Sequence, residues 1–264
     1  EATLFTPDLV ILLSGLVLFA ASILGASTTT TWRLAVMAGI AATVGAIWSL
    51  PLSGEAFYPG IYRIDTFSQS VKVVLAAGYL LVILGAREPL TLRDRAWSEL
   101  PLFLSMATLG MMMMVSATEL LTLYIAMELA AYPMYISVAL HRNRDVGGES
   151  STKYMVQGMM ASAVSLYGMS FIFGLTGSTY FDAISAQIGS LAGTPLFWFG
   201  MVLLLAGFLF KLAVVPFHFW APDTYEASPH EVTTFIASVS KVAAIALLCR
   251  IVSLIIPAGV DAAG

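Results

Sequence analysis

Long uninterrupted runs of apolar residues are the feature that most constrains the fold of this chain of 264 residues. A helix that crosses the roughly 30 Å hydrocarbon core of a bilayer needs about 20 mostly apolar residues. Eight such runs lie at 9–26, 32–52, 67–86, 100–117, 120–140, 151–175, 195–220 and 232–256. Apolar and polar residues do not alternate within them, so helices are favoured over the strands of a membrane barrel. The predicted fold is an all-α, polytopic transmembrane helical bundle.

The composition excludes a water-soluble enzyme. Charged residues make up 11% of the chain and hydrophobic residues 59%, whereas a soluble domain carries roughly a quarter charged residues. The net charge of -4 provides no basic surface for a nucleic acid. The single cysteine, Cys249, lies in an apolar run and is expected to be a small buried residue.

Lysines and arginines in the connections predict the orientation of the bundle. The first, third and fifth connections hold Arg33, Arg87, Arg93, Arg95, Arg142, Arg144 and, at the membrane edge, Lys153. The second, fourth and sixth connections hold only Arg63. By the positive-inside rule, the amino terminus is expected on the outer side of the membrane and the odd-numbered connections on the inner side.

Prolines and glycines predict two interruptions. The seventh span is expected to break near 214–222, because Pro216 removes a helical hydrogen bond and its ring clashes with the preceding turn. A break inside a membrane is tolerated only where protein or water meets the freed backbone. Gly147 and Gly148 predict a turn, followed by an N-cap at 149–151 that opens the sixth helix.

Three ionisable side chains lie near the middle of predicted spans: Glu128, Lys211 and Lys241. A charged residue at a helix centre costs roughly 2.5 to 3.5 kcal/mol, so the three together cost about 8 to 10 kcal/mol. We therefore expect them to have a function. Other ionisable residues lie nearer the ends of spans: Lys72, Glu119, Lys153 and Arg250.

A buried carboxylate and a buried amine can form a proton switch or a purely structural ion pair. Burial disfavours the charged form of each group, and a nearby opposite charge restores it. A lysine that gains and loses a carboxylate partner can therefore load and release a proton. Tyr124 and Tyr132, four residues on either side of Glu128, would give that carboxylate a polar face. Under the alternative interpretation, Glu128 and one lysine only fix helix packing.

The sequence predicts no metal or redox centre. The run Met111–Met114 points to all sides of a helix and has no Cys or His partner nearby, so these residues are expected to pack or to face lipid. His218 and His230 are separated by twelve positions and two prolines, which is not a metal-ligand spacing. We find no motif for NADH, flavin or an iron–sulfur cluster.

Three segments resemble a known family. They read GFLFKLAVVPFHFWAPDTYEASP at 207–229, LLTLYIAMELAAYPMYI around Glu128 and SVSKVAA around Lys241. They resemble the antiporter-like membrane subunits of respiratory complex I (NADH:quinone oxidoreductase) and their cation/proton antiporter relatives. The segment at 151–181 is similar to the N-type subunit of that family. The resemblance covers essentially the whole chain and is most specific over 99–250.

The resemblance implies a role for each matching residue. Glu128 corresponds to the essential carboxylate of the fifth helix, Lys211 to the lysine of the discontinuous seventh helix and Lys241 to the lysine of the eighth. In such a relay Glu128 would tune Lys211, which would load a proton from the inner side, and Lys241 would pass it along a central polar axis. Lys153 also matches an N-type position and is expected to join the relay.

The resemblance also implies an assembly. This chain would be a proton-translocating membrane-arm subunit with no cofactor of its own, and NADH, FMN, iron–sulfur clusters and quinone would be bound by partner subunits. Its neighbours would be other antiporter-like and small membrane subunits, in a bacterial inner membrane or an equivalent energy-transducing membrane. Alternatives are a Na⁺/H⁺ antiporter subunit, a structural membrane scaffold, and a related oxidoreductase with another electron donor.

The predicted organisation follows the family pattern in part. Family members have about fourteen helices, which include two inverted five-helix repeats. We expect an N-terminal three-helix segment at 1–98, one five-helix repeat at 99–257 and a tail at 258–264. The second repeat, which includes the family's twelfth helix and its lysine, lies outside this sequence. The eight spans present here are therefore not expected to complete a proton path alone.

Overall fold

The apolar runs form the helices of the computed structural model, which describes residues 5–52, 54–56, 60–86, 92 and 96–255. The α-helices are α1 (Thr6–Ile23), α2 (Thr28–Ser49), α3 (Thr66–Gly85), α4 (Leu100–Ser116), α5 (Leu120–Val138), α6 (Arg144–Thr176), α7 (Phe181–Leu191), α8 (Pro195–Leu212), α9 (Trp220–Ala227), α10 (His230–Ala237) and α11 (Val239–Ile255). A 3-10 helix, Ala96–Ser98, precedes α4. An antiparallel hairpin of β1 (Gly54–Ala56) and β2 (Tyr62–Ile64) lies between α2 and α3.

Eight segments of the described chain are long and apolar enough to cross a membrane. The helices α1 to α6 and α8 supply seven of them, and α10 with α11 supplies the eighth. Large apolar side chains face outward from these segments: Leu13 and Leu16 of α1 are 59% and 58% exposed. Such faces are unfavourable in water but suit contact with lipid. The predicted all-α bundle of eight spans is confirmed.

Polar side chains fix where several helices begin. Ser27, Asp65 and Glu119 each accept the backbone N–H three residues later, at 3.2, 2.7 and 2.8 Å. Asn143 accepts the N–H of Asp145 at 3.2 Å. Each of these bonds satisfies a donor that has no partner within its own helix.

The sixth helix begins earlier than predicted. It begins at Arg144, so Gly147 and Gly148 lie inside it, and the predicted turn with an N-cap at 149–151 is wrong. The side-chain cap of Asn143 starts the helix instead. Gly147 is required because the backbone there lies close to the side chain of His141. A Cβ on Gly147 would lie only 2.9 Å from the Cβ of His141.

Glycines bring the central helices together. A Cβ on Gly168 of α6 would lie 2.3 Å from the backbone nitrogen of Leu204 in α8. A Cβ on Gly110 of α4 would lie 2.4 Å from the backbone nitrogen of Ala130 in α5. Backbones can approach this closely only where no side chain intervenes, which is a common feature of membrane helix packing.

The seventh and eighth spans are both interrupted. The helix α8 ends at Leu212, Ala213 takes a left-handed conformation (φ 56°), and helix resumes only at α9, which confirms the predicted break around Pro216. The eighth run was predicted as one helix over 232–256, and this is wrong. Ser238 (φ -114°, ψ -72°) separates α10 from α11. Its hydroxyl donates to the carbonyl of Thr234 at 2.6 Å, and such bonds bend helices.

A few other predictions differ from the structure or fall outside it. Cys249 is exposed on α11, so the prediction of burial is wrong. A thiol behaves as a small apolar group and is compatible with a lipid-facing position. The tail at 258–264 and the predicted inner-side residues Arg87, Arg93 and Arg95 lie outside the described residues.

Candidate functional site

Glu128 is a buried carboxylate in the middle of α5. The residue is 9% exposed, and its Oε1 has no hydrogen-bond partner among the described residues. Three phenols lie within its electrostatic reach: Tyr124, Tyr132 and Tyr135. An unpaired carboxylate oxygen in an apolar bundle is unfavourable, and this oxygen can still accept a hydrogen bond from water or from a side chain that moves toward it.

Lys211 lies in the last turn of α8, next to the helix break. The charge of Glu128 acts on its ammonium, but no ion pair with an N···O distance of 4.0 Å or less joins these two described side chains. Lys211 lines a small cavity between α5, α6 and α8, together with Ser162 and Tyr135. The volume open to the centre of a water molecule is about 10 Å³, which is room for one water at most.

Lys241 lies at the start of α11 and reaches back to the end of α8. Its Nζ donates a hydrogen bond to the backbone carbonyl of Lys211 and lies 4.9 Å from the centre of the Trp220 ring. The indole N–H of Trp220 donates to the carbonyl of Phe210 at 2.9 Å. Two side chains from beyond the break therefore satisfy the last carbonyls of α8, where the helix dipole favours positive charge.

The structure therefore brings three of the four predicted site residues together. Glu128 acts electrostatically on Lys211, and Lys211 acts on Lys241. Two neighbouring amines disfavour each other's charged form, and a nearby carboxylate favours it. Because the side chains of Glu128 and Lys211 are not in direct contact, a proton passing between them would need a bridging water or a movement of the side chains.

Lys153 is placed differently from the other three. It lies on α6 with its side chain 48% exposed, and its Nζ pairs with Glu149 at 2.8 Å and with Asp223 of α9 at 3.4 Å. Its ion pairs are with exposed acids rather than with Glu128 or Lys211. The structure therefore places this predicted relay residue at the edge of the site, where it ties α6 to the short helix after the break.

A second buried charge cluster was missed from the sequence. The Nζ of Lys72 donates to Asp8 Oδ2 at 2.7 Å and to the phenol oxygen of Tyr62 at 3.0 Å, and that phenol donates to Asp8 Oδ1 at 2.8 Å. Lys72 is fully buried and Asp8 is 6% exposed. Burial first, and then the charge of Asp8, raise the pKa of Tyr62 well above its usual value.

One signal in the sequence could have revealed this cluster. Asp8 directly precedes the predicted first span and Lys72 lies near the start of the third, so both belong to the same side of the membrane. Arg250, another charged residue near a span end, also has a partner at a helix start. Its guanidinium contacts both oxygens of Asp65, at 2.8 and 3.0 Å.

Metal-ligating side chains do not cluster in the described chain. Among those residues, no group of three or more His, Cys, Asp or Glu could hold a metal ion. Of the two histidines considered above, His218 lies in the segment between α8 and α9 and His230 begins α10.

A family match covers more than half of the chain. Residues 117–263 match the family described as "NADH:quinone oxidoreductase/Mrp antiporter, TM". This stretch contains Glu128, Lys211 and Lys241. The chain is also similar to NADH-quinone oxidoreductase subunit N 2 of Opitutus terrae, with 39% identity over 256 residues, 96% of this chain and 53% of the relative.

Two solved structures share the fold. A chain of respiratory complex I from Thermus thermophilus with bound aureothin superposes with a TM-score of 0.78 at 29% identity, covering 92% of this chain and 52% of that one. A chain of the membrane-bound sulfane sulfur reductase, an archaeal respiratory membrane complex, superposes with a TM-score of 0.83 at 23% identity, covering 96% and 54%. This chain thus spans about half the length of the proteins it matches.

Proposed function

Because the chain belongs to the NADH:quinone oxidoreductase/Mrp antiporter transmembrane family, we propose that it is part of a proton-translocating membrane-arm subunit of NADH:quinone oxidoreductase. Its contribution is a relay through Glu128, Lys211 and Lys241, with Lys153 at the edge. The names of its relatives and the likeness to a chain of respiratory complex I support this assignment. The enzyme class is a redox-driven translocase whose electron transfer takes place elsewhere in the assembly.

The observation that carries the proposal is the unequal pairing of three charges around a broken helix. Glu128 has a buried oxygen without a partner, Lys211 lies within its electrostatic reach, and Lys241 is bonded to the carbonyl of Lys211. A small movement of the Glu128 carboxylate toward Lys211 favours the protonated form of that amine. Movement of the carboxylate away favours release of the proton toward Lys241. Such a two-state pair can be biased by a neighbouring subunit.

The proposed assembly follows from the same relatives. Other membrane-arm subunits would pack against the outward apolar faces, and NADH, FMN, iron–sulfur clusters and quinone would be bound in partner subunits. The membrane would be a bacterial inner membrane or an equivalent energy-transducing membrane. The amino terminus would lie on its outer side, as the basic residues of the connections predict.

The proposal is tested with Lys211→Ala in the full-length subunit within its complex, reconstituted into proteoliposomes. We expect proton uptake driven by NADH oxidation to fall by about 100-fold or more, as for loss of a proton-transferring group, while the complex still assembles. Lys153→Ala should lower the rate less, because water can replace an exposed amine. If Lys211 had a purely structural role, the Lys211→Ala complex would instead fail to assemble or would dissociate.

The same proteoliposomes distinguish the proposed function from that of a cation/proton antiporter. The family itself includes Mrp antiporters, whose transport would require a counter-cation. Omission of Na⁺ should leave NADH-driven proton uptake unchanged if the proposed function is correct. Strict dependence on Na⁺, with no dependence on NADH, would assign the chain to cation/proton exchange instead.

A further inference from the structure

A second cavity lies at the membrane face where α1 and α3 end and α2 and α4 begin, far along the chain from the relay residues. It has a volume of about 240 Å³ and is lined by Thr28, Thr29, Trp32, Arg33 and Trp97. The ring of Trp32 is fixed by a hydrogen bond from its indole N–H to the carbonyl of Ile83 at 3.0 Å. The positive-inside rule predicts that this face is the inner one.

The described lining of this cavity offers donors and positive charge, and none of the described lining residues is a carboxylate. The guanidinium of Arg33 is exposed and forms no ion pair with a described residue. The hydroxyl of Ser27 accepts a hydrogen bond from the backbone N–H of Thr30 at 3.2 Å. The N–H groups of Thr28 and Thr29 remain at the positive end of the α2 dipole, where an anion can bind. The cavity is therefore suited to an anion.

Trp97 is an independent sign of a ligand. The residue is only 6% exposed, it lines the cavity, and its indole N–H has no hydrogen-bond partner among the described residues. This N–H is not among the fully buried side-chain atoms that lack a partner, so an acceptor in the cavity can reach it, and indole N–H groups of largely buried tryptophans normally have such an acceptor. An acceptor placed in the cavity would satisfy this donor and the Arg33 guanidinium together.

We propose that this cavity binds the phosphate group of an anionic phospholipid, such as phosphatidylglycerol. Arg33 would pair with the phosphodiester, Trp97 would donate to one of its oxygens, and the hydroxyls of Thr28 and Thr29 would contact the headgroup. Basic pockets between membrane helices bind acidic headgroups in this way, and indoles are enriched at the same depth.

An apolar stripe argues for a lipid rather than free phosphate. Met37, Ile40 and Val44 follow Arg33 at helical spacing on one face of α2, and they are 57%, 49% and 61% exposed. An acyl chain attached to a phosphate beside Arg33 would lie along this stripe. Inorganic phosphate has the same charge chemistry but would leave the stripe without a role.

The test uses the full-length subunit in its complex, placed in phosphatidylcholine vesicles with or without a photoreactive phosphatidylglycerol. Crosslinked peptides are mapped by mass spectrometry. We expect crosslinks within 27–44, reduced about tenfold by Arg33→Gln, because a charge-assisted hydrogen bond is lost. Trp97→Phe keeps an aromatic side chain but removes the indole N–H, and it should also reduce crosslinking.

Arg142→Gln is the matched control. Arg142 is exposed in the connection between α5 and α6, at the same membrane face but outside the cavity, and its loss should leave the crosslinks within 27–44 unchanged. Equal reduction by Arg33→Gln and Arg142→Gln would show unspecific attraction to the surface and overturn the proposal. Unchanged crosslinking in Arg33→Gln, or displacement of the lipid by millimolar inorganic phosphate, would overturn it as well.

Discussion

Buried lysines of this chain differ in how their charge is balanced. Lys72 contacts the carboxylate of Asp8 directly and forms a closed ring of hydrogen bonds with it and Tyr62. Lys211 has a carboxylate only at a distance. A closed, neutral ring favours one fixed state, whereas an open arrangement allows its proton occupancy to change. Location near the membrane centre and incomplete pairing together distinguish the proposed relay residues.

Lys72→Met should strongly destabilise the protein. It removes one partner of a fully buried ion pair and leaves Asp8 uncompensated, which typically costs about 3 to 5 kcal/mol. The double variant Lys72→Met with Asp8→Leu should recover most of this loss, because no buried charge then remains. Thermal unfolding in detergent measures the effect.

Lys153→Met is the control for that experiment, since its ion pairs are exposed. We expect it to change stability by about 1 kcal/mol or less. An effect as large as that of Lys72→Met would contradict the distinction between the two sites.

Glu119 gives a pH-dependent contribution to stability. Burial alone would raise the pKa of its carboxyl, but hydrogen bonds from Thr122 and nearby groups outweigh burial and hold the pKa below its usual value. A carboxyl with a lowered pKa in the fold stabilises it above the unfolded pKa, and this contribution is lost as the pH falls through the folded pKa. Below about pH 4.3, the unfolding temperature should therefore fall more steeply than in Glu119→Gln.

The comparison is made by thermal unfolding from neutral to acidic pH. Thr122→Val removes the hydroxyl that donates to Glu119 at 2.9 Å but keeps the N–H that donates at 2.8 Å. It should therefore give an intermediate slope. Parallel curves for wild type and Glu119→Gln would show that the carboxylate adds nothing through its ionisation.

Sequence reasoning identified Lys211 and Lys241 because charge in the middle of an apolar run is costly and easily noticed. It did not pair Lys72 with Asp8, because hydropathy locates each span and its ends but does not state which spans are neighbours. The bond from Lys241 to a backbone carbonyl was equally inaccessible. That contact depends on where α8 ends relative to α11, which is a tertiary property.

At the scale of helices, α6 packs closely on α8 where Gly168 meets Leu204. Gly168→Ala should weaken this packing, because the added methyl would lie 2.3 Å from a backbone nitrogen of α8 that cannot move aside. We expect a loss of about 1 to 3 kcal/mol, as for overpacking of a core. Thermal unfolding of the assembled subunit provides the measurement.

Gly174→Ala on the same helix is the matched control. A Cβ there meets nothing within 4 Å, so the change should be neutral or stabilising by about 0.4 to 1 kcal/mol through the unfolded chain. Similar losses from both substitutions would mean that the close approach of α6 to α8 does not decide the outcome.

Hydropathy predicted the spans but not the elements that depend on docking. The helix α7 has 11 residues, too few to cross a membrane. It is held by backbone bonds such as that from Phe181 N to Thr118 O at 2.9 Å. The bend at Ser238 was likewise hidden within an apolar run, because a serine hydroxyl can bond to its own helix or to another group, and sequence does not decide which.

At the scale of the whole molecule, the orientation in the membrane is open to direct measurement. In a Cys249→Ser background, Asn143→Cys in the connection between α5 and α6 should react with an impermeant maleimide only from the inner side. Ser190→Cys on α7 should react only from the outer side. Both positions are exposed. The opposite pattern would invert the predicted topology and would place the Arg33 cavity in the outer leaflet.

The hydrogen bond from Lys241 to the carbonyl of Lys211 has a consequence for acid and base behaviour. A peptide oxygen cannot be protonated in the physiological range, so the acceptor facing Lys241 is permanent. The acceptor available to Lys211 is a carboxylate, which can be neutralised or moved. Of the two amines, only Lys211 therefore has a removable counter-charge, and in the proposed relay that asymmetry would give proton transfer a direction.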